Sequence, residues 1–225
     1  MMIVAACGQR TQPIMAPPGG FPPDFPAAFY SSVHPDLVFR VVPERSSLQL
    51  KVYRAGTFAA LGHNHVIQSR VDGFIYLADD LTNAQADLFV AVAGFVVDDP
   101  AARVAAGPDF ATQPTTADIE GTRANMLGPK LLDAEKSPFI AVHVAPNHIG
   151  EQTTQVMLSI RIRDHVAEVP VNVNWSRSGD ELSIHGTFAT DHATLGLEPF
   201  SALGGALRVA DKIDVEVSLV AKATR

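Results

Sequence analysis

Hydrophobic and polar positions alternate with a period of two along most of this chain. Residues 46–54 place Leu48, Leu50 and Val52 on one side, with Ser47, Gln49 and Lys51 on the other. Residues 155–163 set Val156, Leu158, Ile160 and Ile162 against Ser159, Arg161 and Arg163. Residues 167–175 set Val169, Val171, Val173 and Trp175 against Glu168, Asn172 and Asn174. Residues 211–221 set Ile213, Val215, Val217 and Leu219 against Lys212, Asp214 and Glu216. Successive side chains of a strand point to opposite faces, so each run predicts a half-buried strand. Shorter runs predict strands at 37–42, ended by Pro43, at 66–78, at 139–146 and at 182–189 with Ile184 and Phe188 inward. Gly73 marks a bend or bulge in the second of these. Residues 85–98 are apolar on both faces, Leu88, Val90 and Val92 against Phe89, Phe95 and Val97. Something must cover both sides of that strand.

The alternation stops at 99–138. There Thr115 or Thr116 predicts the cap of a helix running to Leu127 and stopped by Gly128 and Pro129. A second short turn follows at 130–136. Asp164 with His165, and Ser178 to Asp180, read as hairpin turns, and 195–207 as a Gly-rich loop. The sum is about eight strands, mostly adjacent in sequence, with one short helical insert. Such an all-β chain makes a sandwich or an eight-stranded antiparallel barrel, and the pattern alone does not separate them. Closure into a barrel would remove the exposed edges of long apolar strands. Its interior would be either filled by its own side chains or open to a ligand.

Composition narrows the function. The 225 residues carry a net charge of −7 and no Lys/Arg run longer than two, which argues against nucleic acid as a partner. A folded part of this size buries enough surface to need no metal or disulfide staple. The single cysteine, Cys7, excludes an internal disulfide. Val4, Ala5 and Ala6 before Cys7 resemble a bacterial lipobox. In that reading residues 1–7 are the remnant of a signal peptide whose true start lies upstream, and Cys7 is lipid-modified. Residues 8–35 hold seven of the sixteen prolines and Gly19 and Gly20, and read as a semi-stiff tether. No stretch reaches the roughly 18 apolar residues of a membrane-spanning helix. The expectation is a domain at 36–225 anchored to a membrane by acyl chains. Gly8 stands where an aspartate is often associated with inner-membrane retention, so the expected place is the periplasmic side of the outer membrane.

The most chemical stretch is 54–67, with Gly62, His63, Asn64 and His65 in a row. Two residues apart on a strand, His63 and His65 would share a face. Three readings stay open. The pair could bind a metal, given a third ligand from His143, His185, Asp191 or His192. It could form a polar rim touching a ligand headgroup. It could be a structural turn in which Gly62 permits the bend and the polar side chains bond the backbone. Asp191 and His192 near Thr194 and Ser201 lack a nucleophile matched to a base. No phosphate-binding loop or C-x-x-C motif occurs, so no enzymatic activity and no cofactor is expected.

Four pieces together resemble the YceI-like family of bacterial periplasmic isoprenoid-lipid-binding proteins. They are FRVVPERSSLQLKVYRAG, RANMLGPKLLDAEKSPFIAVHV, LSIRIRDHVAEVPVNV and TDHATLGLEPFSALGGALRVADKIDVEVSLVAKA, within about residues 37–222. The resemblance implies a lipocalin-like β-barrel around an apolar tunnel that holds a long-chain amphiphilic lipid. The inward residues expected to bind it are Leu48, Leu50, Val52, Val90, Val92, Leu158, Ile160, Val171, Val173, Trp175, Ile184, Phe188, Val215 and Val217. His63 and His65 are expected at the tunnel's polar lip. The sequence does not fix an oligomeric state.

Overall fold

A computed structural model describes residues 20–149 and 153–224. Twelve strand segments form one antiparallel sheet. They are β1 (Val38–Val41), β2 (Ser47–Ala55), β3 (His65–Ser69), β4 (Asp72–Tyr76), β5 (Gln85–Ala91), β6 (Val96–Val97), β7 (Phe139–Ile149), β8 (Thr154–Ile162), β9 (His165–Ser178), β10 (Glu181–Asp191), β11 (Ser201–Ala202) and β12 (Leu207–Ala223). Six of these are halves of three broken strands. β1 pairs with β4 while β2 pairs with β3, and β4 pairs with β5 while β3 pairs with β6. With each broken strand counted once, seven strands bond in chain order from β1/β2 through β10, and β12 is the eighth. β12 then bonds back to both β1 and β2, so the sheet is a closed eight-stranded antiparallel barrel. Closure settles the choice between barrel and sandwich.

The breaks have local causes. Pro43 opens the turn Pro43–Arg45, where it removes a ladder donor between β1 and β2. Ser46 patches the gap: its hydroxyl donates to Val220 O and accepts from Val220 N at 3.0 Å. The expected strand 66–78 splits at 70–71, and the expected strand 85–98 splits at the turn Val92–Gly94. Gly73 does mark an irregular point. Its φ is +143°, and a Cβ there would lie 2.2 Å from Asp87 O, so only glycine lets β4 approach β5 so closely. The hairpin turn expected at 164–165 sits one residue earlier, with Arg163 at φ 57° and His165 already in β9.

The doubly apolar β5 is covered on both sides. Leu88 and Val90 face the barrel interior. Phe89, on the other face, is covered by residues expected to be tether. Phe25 lies 5.6 Å from the Phe89 ring and Phe21 lies 6.0 Å from it. Tyr30, in the short helix α1 (Ala27–Ser32), stacks on Phe74 at 5.1 Å and donates to Asp87 Oδ2 at 2.6 Å. The Arg40 guanidinium lies over both Phe21 and Phe74. Each aromatic pair contributes about 0.5–1.5 kcal/mol beyond burial. From Phe21 onward, then, the proline-rich segment is a strap bound to the outer wall rather than a free spacer. Cys7 and the rest of the expected tether lie outside the described residues.

The insert between β6 and β7 holds two helices, not one. α2 (Pro100–Ala106) starts with Asp99 accepting from the N–H groups of Ala101 and Ala102, and ends at Gly107 with φ 98°. α3 (Thr116–Leu127) has the expected cap, a capping box between Thr115 and Asp118. Met126 and Leu132 from this insert join the main core with Ile162, Leu195 and Ile213, and close one end of the barrel.

Candidate functional site

The barrel interior is not filled. It holds a cavity of about 260 Å³, where one water needs only ~10–15 Å³. No charged residue and no histidine lines it. Of the fourteen strand residues expected to bind ligand, twelve line it: Leu48, Leu50, Val90, Leu158, Ile160, Val171, Val173, Trp175, Ile184, Phe188, Val215 and Val217. Val52 and Val92 do not. Val52 packs into the core near the barrel end, and Val92 begins the turn that breaks β5 from β6, which takes it off the alternation. The sequence reading overlooked Ile140, Val142 and Val144 of β7, which line the opposite wall. Their alternation is visible in the sequence as Ile140, Val142 and Val144 against Ala141 and His143.

The two ends of the cavity differ. At the insert end the lining residues Ile162, Leu195 and Ile213 are buried. At the other end the β4–β5 loop supplies Leu77, Leu81 and Ala84, and the start of β8 supplies Thr154. Trp175, 37% exposed, lines this end and donates through Nε1 to Thr154 Oγ1 at 3.2 Å. Tyr76 and Gln85 pair across β4 and β5 at the same end, but their side chains turn outward to the strap, Tyr76 against the Phe29 ring at 5.4 Å. The mouth is therefore marked by the Trp175–Thr154 pair, and the depth offers hydrocarbon. That is the arrangement for an amphiphile whose tail enters first.

His63 and His65 are not at this mouth. They sit at the opposite, insert end of the barrel, where His65 pairs with Val52 on the inner face of β3 and the helical insert covers that end. Nδ1 of His65 donates to Asp98 Oδ2 at 2.6 Å, and the other carboxylate oxygen accepts from Val66 N at 2.9 Å and from Arg103. Arg103 also donates to Asn64 O at 2.7 Å and to Thr112 O. Asn64 bonds Arg54 N and Asp109 O, and His63 Nε2 lies 3.8 Å from Asp118 Oδ2. The Asp98 side chain is wholly buried and that of Arg103 is 1% exposed. Burial, the largest influence on Asp98, pushes its pKa up. The bonds from His65, Val66 N and Arg103 outweigh it and hold the carboxyl below the ordinary value.

The G-H-N-H stretch is thus a polar clasp holding the insert to the barrel. The lip position expected for its histidines is corrected: both lie outside the cavity lining because they sit at the closed end, beyond Val52 and Ile67, where Asp98 and Asp118 of the insert engage them. The residues weighed as a third metal ligand are engaged elsewhere. His143 bonds Asp87, His185 bonds Ser218, His192 bonds Asp211 O and Asp191 accepts from Thr194 N. Among the described residues no three such side chains gather as a metal set. Asp98 and Arg103 were missed because they lie 33 and 39 positions from their partners in the chain.

No protein-family model matches this chain. No curated protein matches it either. Among solved structures, it is similar to BcnA of Burkholderia cenocepacia, with 14% identity over 80% of this chain and 98% of that one, and a TM-score of 0.55. It is also similar to the YceI protein of Campylobacter jejuni, with 8% identity over 69% of this chain and 82% of that one, and a TM-score of 0.47. The eight-stranded barrel implied by the sequence resemblance is the fold this chain has, and the fold it shares with BcnA.

Proposed function

We propose that this chain binds and carries an amphiphilic lipid, isoprenoid-type or with a comparable long tail, in the barrel interior. The observation that carries the reading is the hydrocarbon-lined cavity of about 260 Å³. Left empty, a void of that size costs on the order of 6 kcal/mol at ~24 cal/mol per Å³. That is comparable to the whole stability of a typical domain, ~5–15 kcal/mol. An occupant removes the cost. A tail placing about ten methylene-sized groups inside gains about 8 kcal/mol at ~0.8 kcal/mol each. Trp175 and Thr154 stand where its head would emerge at the mouth. In this reading the protein is a carrier and not an enzyme. The residues around Cys7 support the further proposal that it works in the periplasm, anchored by acyl chains to the outer membrane.

Trp175 is the single tryptophan and lines the mouth. Its fluorescence should therefore report entry of a prenyl chain bearing a quencher. Saturable quenching in the wild type is expected, with none after Val142→Phe/Ile160→Phe, which fills the cavity across one cross-strand pair. Quenching that is non-saturable, or equal in both proteins, would sink the carrier reading.

A further inference from the structure

We propose that the barrel docks on a phospholipid bilayer through the two clasped loops at its closed end. The loops are residues 56–62 and 199–207. In a chain with 18% charged residues, neither loop contains a charged side chain. They instead expose four large apolar groups: Phe58 at 49%, Leu61 at 72%, Phe200 at 47% and Leu203 at 68%. The loops touch one another. Phe58 N donates to Ala206 O at 2.7 Å, and a Cβ on Gly56 would meet that same oxygen at 2.4 Å. The four side chains are therefore held at one tip of the molecule.

Leu203 adds a second observation. It stands at φ 52°, a region costly for a leucine, and the cost is not recovered by burial. Strain spent on presenting an apolar side chain to solvent points to a contact made outside this chain. The backbone of the tip suits lipid as that contact. Leu61 N, Gly62 N, Ala206 N and Val209 N all donate to carbonyls within the two loops. A segment entering a bilayer must satisfy such groups internally, because lipid tails offer no partners. Charge agrees as well. Arg54 and Arg208 are exposed at the base of the tip, one residue out of register in the β2–β12 ladder, where Arg54 pairs with Val209 and Arg208 with Ala55. They stand where interfacial cations meet headgroup phosphates while the apolar tips sink between the tails. Docking by this end leaves the cavity mouth free at the opposite end, so the inference does not rest on the cargo reading.

The test uses the full chain carrying Cys7→Ser, so that no acyl anchor contributes. Its partition onto vesicles of phosphatidylethanolamine and phosphatidylglycerol is compared with that of the same chain carrying Leu61→Ser and Leu203→Asn. Both sites are mostly exposed, and asparagine tolerates the left-handed backbone at 203, so the variant should fold. Unchanged quenching of Trp175 by the prenyl probe, or an unchanged urea midpoint, would confirm that it has. The expected result is vesicle binding that falls by about tenfold or more in the variant. No binding by the parent chain, or equal binding by both, would overturn the proposal. So would a dimer of the parent chain that covers the tip, is lost in the variant and accompanies no vesicle binding.

Discussion

Replacing Asp98 by asparagine tests the polar clasp directly. Asp98 stands at φ 56°, a conformation asparagine adopts readily, so the backbone at this position should not change. The amide oxygen can still accept from Val66 N. What disappears is the negative charge beside Arg103, whose side chain is 1% exposed and therefore has no water to turn to. Removing one partner of a buried pair costs about 3–5 kcal/mol. Because one acceptor survives, the lower end, about 3 kcal/mol, is expected. Urea unfolding followed by circular dichroism should show a lower midpoint at neutral pH with little change in slope. Hydrogen exchange should locate the loss, with amides of α2 and α3 losing protection before those of β8 and β9. Adding Arg103→Met should recover part of the stability, since no buried charge then lacks a partner. A loss under about 1 kcal/mol would place the pair among ordinary surface ion pairs and refute the clasp.

The clasp also has a pH signature. The Asp98 carboxyl is held below its unfolded value, so its contribution is present above that value and fades as pH falls through the folded one. Acid unfolding of the wild type should therefore steepen below about pH 4, and that steepening should weaken in Asp98→Asn. Tyr30→Phe removes the bond to Asp87 that helps fix the strap, and should cost about 1–2 kcal/mol by urea unfolding. An unchanged midpoint would show that the aromatic contacts alone hold it. Filling the cavity by Val142→Phe/Ile160→Phe should leave the urea midpoint equal or higher while probe uptake is lost. A large drop in midpoint would mean that the interior was already packed.

The barrel wall was legible because period-two alternation is a local signal. β2, β8, β9, β10 and β12 each carry it, and twelve of fourteen inward residues assigned from it line the cavity. The breaks were less legible. Pro43 announced one, but nothing local separates β5 from β6, since Val92 continues the apolar run and only the turn conformation removes it. α2 carried a readable signature that went unused: Asp99 as cap, Pro100 in the first turn and Gly107 at the end. The strap also left a trace, because Phe21, Phe25, Phe29 and Tyr30 are not the residues of a solvated spacer. Position 63–65 was correctly singled out as polar and unusual, but its partners Asp98, Arg103 and Asp118 come from distant segments. Only the folded insert shows that the stretch fastens helices rather than rimming the tunnel.

The cavity is the centre of this account, and its natural content is the most direct test. The protein should be isolated from its own cell envelope in mild detergent and measured by native mass spectrometry, then again after organic extraction. The account predicts one hydrophobic adduct per chain, released on extraction and absent from Val142→Phe/Ile160→Phe. A wild-type chain of bare mass before extraction, with no uptake of a prenyl probe afterwards, would contradict it.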